Sequence, residues 1–259
     1  MITSSRNPKI QQMRKLIASK KERNRTASFV VEGVRLAEEA LQSSLPPHSI
    51  LYSKDLSERG FALLDIALKK NIVVEEVESQ LLHRVSDTKN SQGILLVCPF
   101  VNLTVPASWD FGLLLDGISD PGNLGTILRT ALSFNVNVVF SLPNTTDYYA
   151  PKVVRAAMGA HYHLPYQVIQ MNDVENLLQQ KMNMQVLLTD VESGIPCWQV
   201  DLRKPTLLVI GNEAHGLQED YKHLAKANIR IPMSGKTESL NAAIATSILC
   251  YETKRQRQI

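Results

Sequence analysis

Three polar, glycine-bearing segments in the second half of the chain hold the residue types that chemistry would need. They are DPGNLGTILRTA at 120–131, LLVIGNEAHGLQ at 207–218 and IPMSGKTESLNAAIA at 231–245. Each segment alone permits a structural explanation, namely a tight turn from strand to helix, a turn capped by a carboxylate, or the first turn of a packed helix. Together they place carboxylate, amide, hydroxyl and guanidinium groups at the ends of predicted strands.

Familiar nucleotide and metal signatures do not explain these segments. Gly235-Lys236-Thr237 resembles the end of a P-loop, but Arg230 stands where that loop needs its first glycine. No stretch fits GxGxxG after a strand, so a Rossmann dinucleotide site is unsupported. His161 and His163 in GAHYHLP are expected to pack or to face solvent, and no metal site is predicted.

The composition predicts a globular protein with its positive charge concentrated at one end. The 259 residues are 44% hydrophobic, and no apolar run approaches the roughly 18 residues of a membrane helix. Three scattered cysteines in no CxxC spacing suggest neither disulfides nor zinc, and indicate a reducing compartment. Residues 1–26 carry eight Lys and Arg against one Glu, which fits a mitochondrial transit peptide or a basic arm for nucleic-acid phosphates.

The elements that must position these residues form two predicted α/β regions. In the first region, Asn7 and Pro8 start an amphipathic helix. Strands are then predicted at 29–32, 50–52, 72–77 and 93–97, with helices near 35–42 and 61–69. A proline-bearing linker at 99–109 separates a domain at 1–98 from one at 110–259.

The second region has near-continuous apolar strands, which indicate a parallel sheet covered on both faces. Its strands are predicted at 111–115, 136–140, 185–189, 207–210 and 228–231, with helices near 124–134 and 240–255. Ligands of such sheets bind at the carboxyl ends of the strands, where the three polar segments lie.

In this order and spacing, the three segments resemble the SpoU family (TrmH-like) of the SPOUT superfamily of RNA ribose methyltransferases. Residues 123–129 have the spacing of the first family motif, and Gly211-Asn212-Glu213 is similar to the second. Ile231-Pro232-Met233 and Ser239-Leu240-Asn241 are similar to the third. PKVVRAAMGA at 151–160 also resembles the family.

The likeness covers 111–257 strongly and the first part of the chain more loosely. SSRNPKI, FVVEGVRL and SQGILLV within 1–97 resemble the RNA-substrate-binding domain of ribosomal-RNA members. Because Arg6 to Lys9 would belong to that domain, the resemblance disfavours the transit peptide. It implies a smaller α/β RNA-binding domain followed by an α/β SPOUT domain with a deep trefoil knot.

The resemblance also implies S-adenosylmethionine as cofactor, held at Gly211, Ile231 and Leu240, with Thr189 at a preceding strand end. It assigns the central catalytic role to Arg129, helped by Asn123, Glu213, Ser239 and Asn241. A guanidinium is normally protonated, so we interpret Arg129 as an electrophilic clamp on the substrate phosphate and hydroxyl; it would act as a base only if the phosphate relays the proton.

Methylation of a ribose 2′-hydroxyl of ribosomal RNA is therefore the expected activity, in a cytoplasmic homodimer with no membrane partner. Two alternatives stay open from the sequence. One is a tRNA methyltransferase, although shorter tRNA members commonly have terminal extensions instead of a full N-terminal domain. The other is a catalytically silent RNA-binding module, which the presence of Arg129, Asn123 and Asn241 argues against.

Overall fold

The computed structural model describes residues 1–181, 183–190, 193–211, 224–235 and 239–258. The chain divides into two compact units, one formed by Met1–Val101 with Asp147–Tyr162 and the other by Asn102–Thr146 with His163–Ile259. Of the helices described, none has the length and apolar content that a bilayer crossing requires.

The helices and strands alternate along both halves of the chain. Before residue 102 they are α1 (Pro8–Ala18), α2 (Lys20–Thr26), β1 (Ser28–Glu32), α3 (Val34–Gln42), β2 (Ser49–Tyr52), α4 (Glu58–Lys69), β3 (Val73–Glu76), α5 (Ser79–Val85) and β4 (Ile94–Pro99). After it they are β5 (Phe111–Leu115), α6 (Pro121–Ser133), β6 (Val138–Ser141), α7 (Pro151–Ala157), β7 (Tyr166–Val168), α8 (Met171–Gln179), β8 (Gln185–Thr189), β9 (Ile195–Pro196), β10 (Thr206–Ile210), β11 (Ala227–Arg230) and α9 (Ala242–Arg257).

The first unit is built on a mixed sheet with the strand order β1-β4-β2-β3 among its described residues. β4 is antiparallel to both β1 and β2, whereas β2 and β3 are parallel. Asn7 caps α1 by accepting from Lys9 N, and α1 buries Ile10, Met13 and Leu16 in the core of this unit. The prediction of a small α/β domain is confirmed.

Arg23, which belongs by sequence to the basic arm, is a buried residue of this unit. Its side chain is 6% exposed and pairs with Asp147, with Nη2 2.6 Å from Oδ2. Its Nη1 donates to the carbonyls of Leu16 and Ile17 at 2.5 and 3.0 Å, and so satisfies acceptors that the end of α1 leaves free. The expectation that Arg23 presents its charge to RNA phosphates is therefore wrong.

The segment Asp147–Tyr162, which contains α7, belongs to the first compact unit although it follows β6 of the second. Tyr149 stacks on Phe100 with ring centroids 3.9 Å apart, and its hydroxyl donates to Val101 O at 3.0 Å. His161 is buried with Nε2 2.8 Å from Tyr148 O, and burial lowers the pKa of this imidazole to about 4. The division into 1–98, 99–109 and 110–259 stays a prediction.

The second unit is built on a parallel sheet. Among the described residues, its seven strands have the order β7-β6-β5-β10-β8-β11-β9, and every recorded pair is parallel. β5, β6 and β10 are buried along their whole lengths, as expected for a parallel sheet covered on both faces. The parallel α/β architecture is confirmed.

The strand order changes direction between β5 and β10, which fixes where a ligand is expected. From β5 the chain continues to β6 on one side, and β10 later pairs with β5 on the other side. The crevice outside the carboxyl ends of the strands at such a switch point is the usual ligand site of open parallel sheets. The segments that follow β5 and β10 are the first two polar segments of the sequence.

The remaining short elements were not predicted. They are α2, α5, α7, α8, β7 and β9. β7 and β9 lie at the two edges of the large sheet and are largely exposed, so they lack the apolar runs of the central strands.

Candidate active site at the carboxyl ends of the parallel strands

The first polar segment becomes the start of α6. Asp120 is the N-cap and its Oδ1 accepts from Asn123 N at 2.8 Å, while Pro121 occupies the first helical position. Asn123 therefore lies in the first turn of α6. The sequence reasoning predicted this helix from residue 124 and missed the cap, although an Asp-Pro pair before a helix is a recognisable start signal.

The third polar segment becomes the start of α9, and one side chain links it to the first. Asn241 is the N-cap of α9, and its Oδ1 accepts from Ala243 N and Ile244 N at 3.0 and 3.2 Å. Its Nδ2 donates to Asn123 Oδ1 at 2.9 Å, across 118 positions of sequence. Two residues predicted for the same site are thus brought into direct contact by the fold.

α6 and α9 run side by side in the same direction from this contact. Thr130 Oγ1 lies 3.0 Å from Ser247 Oγ, and the rings of Phe134 and Tyr251 are 6.0 Å apart. Arg129 precedes Thr130 and is therefore rotated about 100° from this contact face. It is exposed, and no recorded contact within the described ranges joins it to Asn123 or Asn241.

The four residues predicted to hold a cofactor are described. Thr189 ends β8, Gly211 follows β10 and Ile231 follows β11. Because these strands are parallel and paired in register, the three residues share one edge of the sheet. Leu240 immediately precedes Asn241, and all four are half-buried.

These positions fit a nucleoside cofactor held through backbone groups and apolar contacts. The hydroxyl of Thr189 donates to Val209 O at 3.0 Å, so it already stabilises the strand ends. Ile231 and Leu240 leave part of their apolar surface accessible, as a wall for an adenine ring requires. Gly211 carries no side chain that would obstruct approach to the backbone.

The other predicted residues are divided between described and undescribed parts of the chain. Ser239 is exposed beside Leu240 at the end of the third segment. Glu213, with Asn212 and Gly216 of the second segment, lies outside the described residues. Of the site residues predicted in the second segment, the described part of the chain therefore includes only Gly211.

A buried carboxylate at the end of β5 was missed by the sequence reasoning. Asp116 is 2% exposed, its Oδ1 accepts from Asn144 Nδ2 at 2.8 Å, and its backbone N donates to Ile210 O at 2.9 Å. It thereby fixes the ends of β5 and β10 beside each other at the switch point. A single acidic residue directly after a fully apolar strand was the available signal.

The family assignment rests on a match that covers more than half of the chain. The model of the SpoU rRNA methylase family matches residues 110–251. The chain belongs to the SpoU rRNA methylase family. The model of the MRM3-like substrate binding domain matches residues 7–96, in front of the methylase match.

Relatives of this family member align over nearly its whole length. The 23S rRNA (guanosine(2553)-2′-O)-methyltransferase RlmP of Bacillus subtilis is 30% identical, covering 98% of each chain. A 23S rRNA (uridine(2479)-2′-O)-methyltransferase of Streptomyces viridochromogenes is also 30% identical, covering 98% of this chain and 92% of its own. The crystal structure of the SpoU methyltransferase AviRb from Streptomyces viridochromogenes with AdoMet has a TM-score of 0.87 at 29% identity, covering 97% of this chain and 99% of its own.

The family, the enzymatic activity and the S-adenosylmethionine cofactor expected from the sequence are confirmed at the level of the family. The roles of the individual site residues, the trefoil knot and the homodimer stay predictions.

Proposed function

We propose that this SpoU family member is a cytoplasmic, homodimeric methyltransferase that modifies a ribose 2′-hydroxyl of ribosomal RNA with S-adenosylmethionine. The observation that carries the proposal is the hydrogen bond between Asn123 and Asn241. It unites the starts of α6 and α9, on which the motifs proposed for catalysis lie, at the edge of the sheet where a parallel α/β fold binds ligands.

When bound, S-adenosylmethionine supplies an electrophilic methyl group. Gly211, Ile231 and Leu240 hold its nucleoside part in this proposal, and Thr189 keeps the adjoining strand ends together. The chain then has to orient the attacking hydroxyl and accommodate its proton, because correct orientation removes much of the barrier to such a displacement.

Arg129 supplies positive charge to the substrate. Guanidinium groups present a planar fork of donors that matches phosphate oxygens, so we assign Arg129 to the phosphate and hydroxyl oxygens of the RNA as a clamp. Asn123, Asn241, Ser239 and Glu213 are proposed to orient the ribose. Because Asn123 and Asn241 already bond each other, their amides are held in a fixed relative position before RNA arrives.

Ribosomal RNA is the favoured substrate because two relatives that align with nearly the whole chain are named as 23S rRNA methyltransferases. Their names differ in the base, guanosine in one and uridine in the other, and agree in the ribose 2′-oxygen. Incubating the protein with S-adenosylmethionine and unmodified 23S rRNA is expected to create a 2′-O-methylated nucleotide at a defined position. Absence of methylation on 23S rRNA, with methylation of a tRNA transcript instead, would contradict the substrate assignment.

Gly211→Val tests the cofactor site. The branched side chain would project where the nucleoside has to approach the backbone, so we expect S-adenosylmethionine affinity to fall at least tenfold in calorimetry, equivalent to about 1.4 kcal/mol. Gly211→Ala, which adds a single methyl group, is the graded control and should lose less. Unchanged affinity of a folded Gly211→Val protein would place the cofactor elsewhere.

The homodimer is proposed from the exposed stripe on α9. Ile244, Ile248 and Tyr251 are 50%, 36% and 56% exposed, and they repeat at helical spacing. The family relationship implies that each site is completed by the neighbour's Arg129, which agrees with the rotation of Arg129 away from the face of α6 that meets α9.

Sedimentation velocity is expected to give a dimer at micromolar protein concentration. Ile248→Glu, which places a charge within the stripe, is expected to shift the protein towards monomer because a buried unpaired charge is costly. Lys254→Glu, on the same helix but outside the stripe, is the matched control. A wild-type monomer with full activity would contradict the shared site.

A further inference from the structure

A cavity of about 180 Å³ opens in the first unit where β1 passes into α3. Its walls include Gly33, Arg35 and Leu36 from this junction, and Asn90 and Gln92 from the loop before β4. Arg155 and Met158 from the region of α7 complete the lining. The cavity therefore joins three parts of the chain, which include residues of FVVEGVRL, SQGILLV and PKVVRAAMGA.

The loop that carries Asn90 is fixed by a buried carboxylate. Glu32 is 8% exposed, and its carboxylate accepts from the hydroxyls of Ser86 and Thr88 and from Asp87 N at 3.2 Å. Several donors thus satisfy the negative charge of Glu32 inside the unit. The wall of the cavity is in place before any ligand binds, which reduces the entropic cost of binding.

Gln92 lines the same space and carries a side-chain amide. Its Oε1 accepts from Val34 N at 2.8 Å, which directs the amide and leaves its NH₂ group for a ligand. Gly33 has a φ of +100°, and a Cβ there would lie 3.1 Å from Gln92 Oε1. Glycine at this position therefore allows the strand end and the Gln92 amide to approach closely.

The cavity combines apolar walls with cationic and amide groups. Leu36 is buried and Met158 half-buried, so both contribute apolar surface. Arg35 lines the cavity and is exposed, whereas Nη1 of Arg155 lies 2.7 Å from Oδ2 of Asp87. A phosphate alone would use the cations but not the apolar walls, and an aliphatic ligand would leave the amides unsatisfied.

From this juxtaposition we propose that the cavity binds an unpaired nucleobase of the RNA substrate, with Asn90 and Gln92 reading its edge and Arg35 contacting the adjoining phosphate. Unstacked bases are the usual targets of sequence-specific RNA recognition, and Asn and Gln amides match the donor and acceptor pattern of a base edge. The inference rests on the proposed RNA substrate and gives the first unit a role in selecting the nucleotide sequence.

Photo-crosslinking tests whether a base of the RNA binds in this cavity. The full-length protein is mixed with 23S rRNA transcribed with 4-thiouridine or 6-thioguanosine, irradiated, digested and analysed by mass spectrometry. Crosslinks are expected at 33–36, 88–92 or 155–158. Crosslinks confined to other parts of the chain with both RNAs would overturn the proposal, and so would an absence of crosslinks.

Two exposed residues allow the roles to be separated without disturbing the fold. Asn90→Ala is expected to raise the Kd for 23S rRNA roughly tenfold and to abolish the crosslink, because a base contact is lost. Arg35→Ala should weaken RNA binding and lower its salt slope by about 1. Gln42→Ala, at the other end of α3, and Lys69→Ala are the matched controls. Unchanged affinity in both test variants overturns the proposal.

Measuring methyl transfer together with crosslinking distinguishes failure of this proposal from failure of the proposed function. Crosslinks in the cavity without methylation of the RNA would leave the binding site in place and refute the activity. Methylation that is unaffected by Asn90→Ala at limiting RNA would uphold the activity and overturn the cavity's role.

Discussion

Arg129→Ala is expected to slow single-turnover methyl transfer about 10²–10⁴-fold, while S-adenosylmethionine affinity stays at the wild-type value. The side chain is exposed on α6 and caps no helix, so its removal should not disturb the fold. In the proposed role, the loss would arise because Arg129 no longer orients the phosphate and hydroxyl oxygens of the RNA for the displacement. Rapid-quench measurement at saturating RNA isolates this step from RNA binding.

Arg203→Ala is the matched control for the Arg129 variant. Arg203 is also exposed, but it precedes β10 and so lies towards the opposite edge of the sheet from Gly211. Its loss should leave the single-turnover rate unchanged. Arg129→Lys should recover part of the rate, since it keeps the charge without the planar fork. A wild-type rate in Arg129→Ala would show that Arg129 is only a surface residue of α6.

Mixing two inactive proteins tests whether Arg129 acts in the neighbouring subunit. Arg129→Ala is combined with Asn241→Ser, in which serine keeps the helix cap but is too short to reach Asn123. If the site is shared, mixed dimers contain one site with neither defect, and an equal mixture should reach about one quarter of the wild-type rate. No recovery after subunit exchange would mean that both residues serve the same subunit's site.

Arg23→Ala is expected to reduce the free energy of unfolding by about 3–5 kcal/mol, because it leaves the buried partner charge of Asp147 uncompensated. The Asp147 side chain is 14% exposed, and solvent cannot replace the lost guanidinium efficiently. The carbonyls of Leu16 and Ile17 lose a donor at the same time. Urea denaturation followed by circular dichroism measures the effect.

Lys20→Ala with Lys21→Ala is the contrasting variant. Both lysines are exposed on α2, so stability should change by no more than about 0.5 kcal/mol. Affinity for 23S rRNA should fall, and its salt dependence should flatten by a slope of order 1 per lost phosphate contact. If Arg23→Ala had the wild-type free energy of unfolding but bound RNA more weakly, Arg23 would belong to the RNA-binding surface and not to the core.

The central strands and the residues at their ends were predictable because their signals are local. β5 and β8 have the predicted bounds, and β10 begins one residue earlier. Buried parallel strands leave unbroken apolar runs, and the polar residues after them show where each strand stops. The motif positions 123 and 241 followed from resemblance, and the fold places these two side chains in contact.

Features that depend on distant residues were not predictable. A charge count cannot distinguish Arg23 from Lys20, because the carboxylate that pairs with Arg23 belongs to Asp147, 124 residues away. Motif spacing likewise does not show which face of a helix packs against its neighbour. That Thr130 faces α9 and Arg129 does not follows only from the packing of α6 on α9. Asp116 was missed because one carboxylate after a strand resembles an ordinary turn residue.

The assignment of Asp147–Tyr162 to the first unit limits how this protein can be recombined with its relatives. The chain passes between the units at 101/102, 146/147 and 162/163. A chimera with a single junction near the linker would therefore take α7 from a different parent protein than the rest of its unit. Phe100 and Arg23 would then meet a foreign Tyr149 and Asp147. A working chimera with a new substrate-binding half is therefore expected to need 1–101 and 147–162 exchanged together.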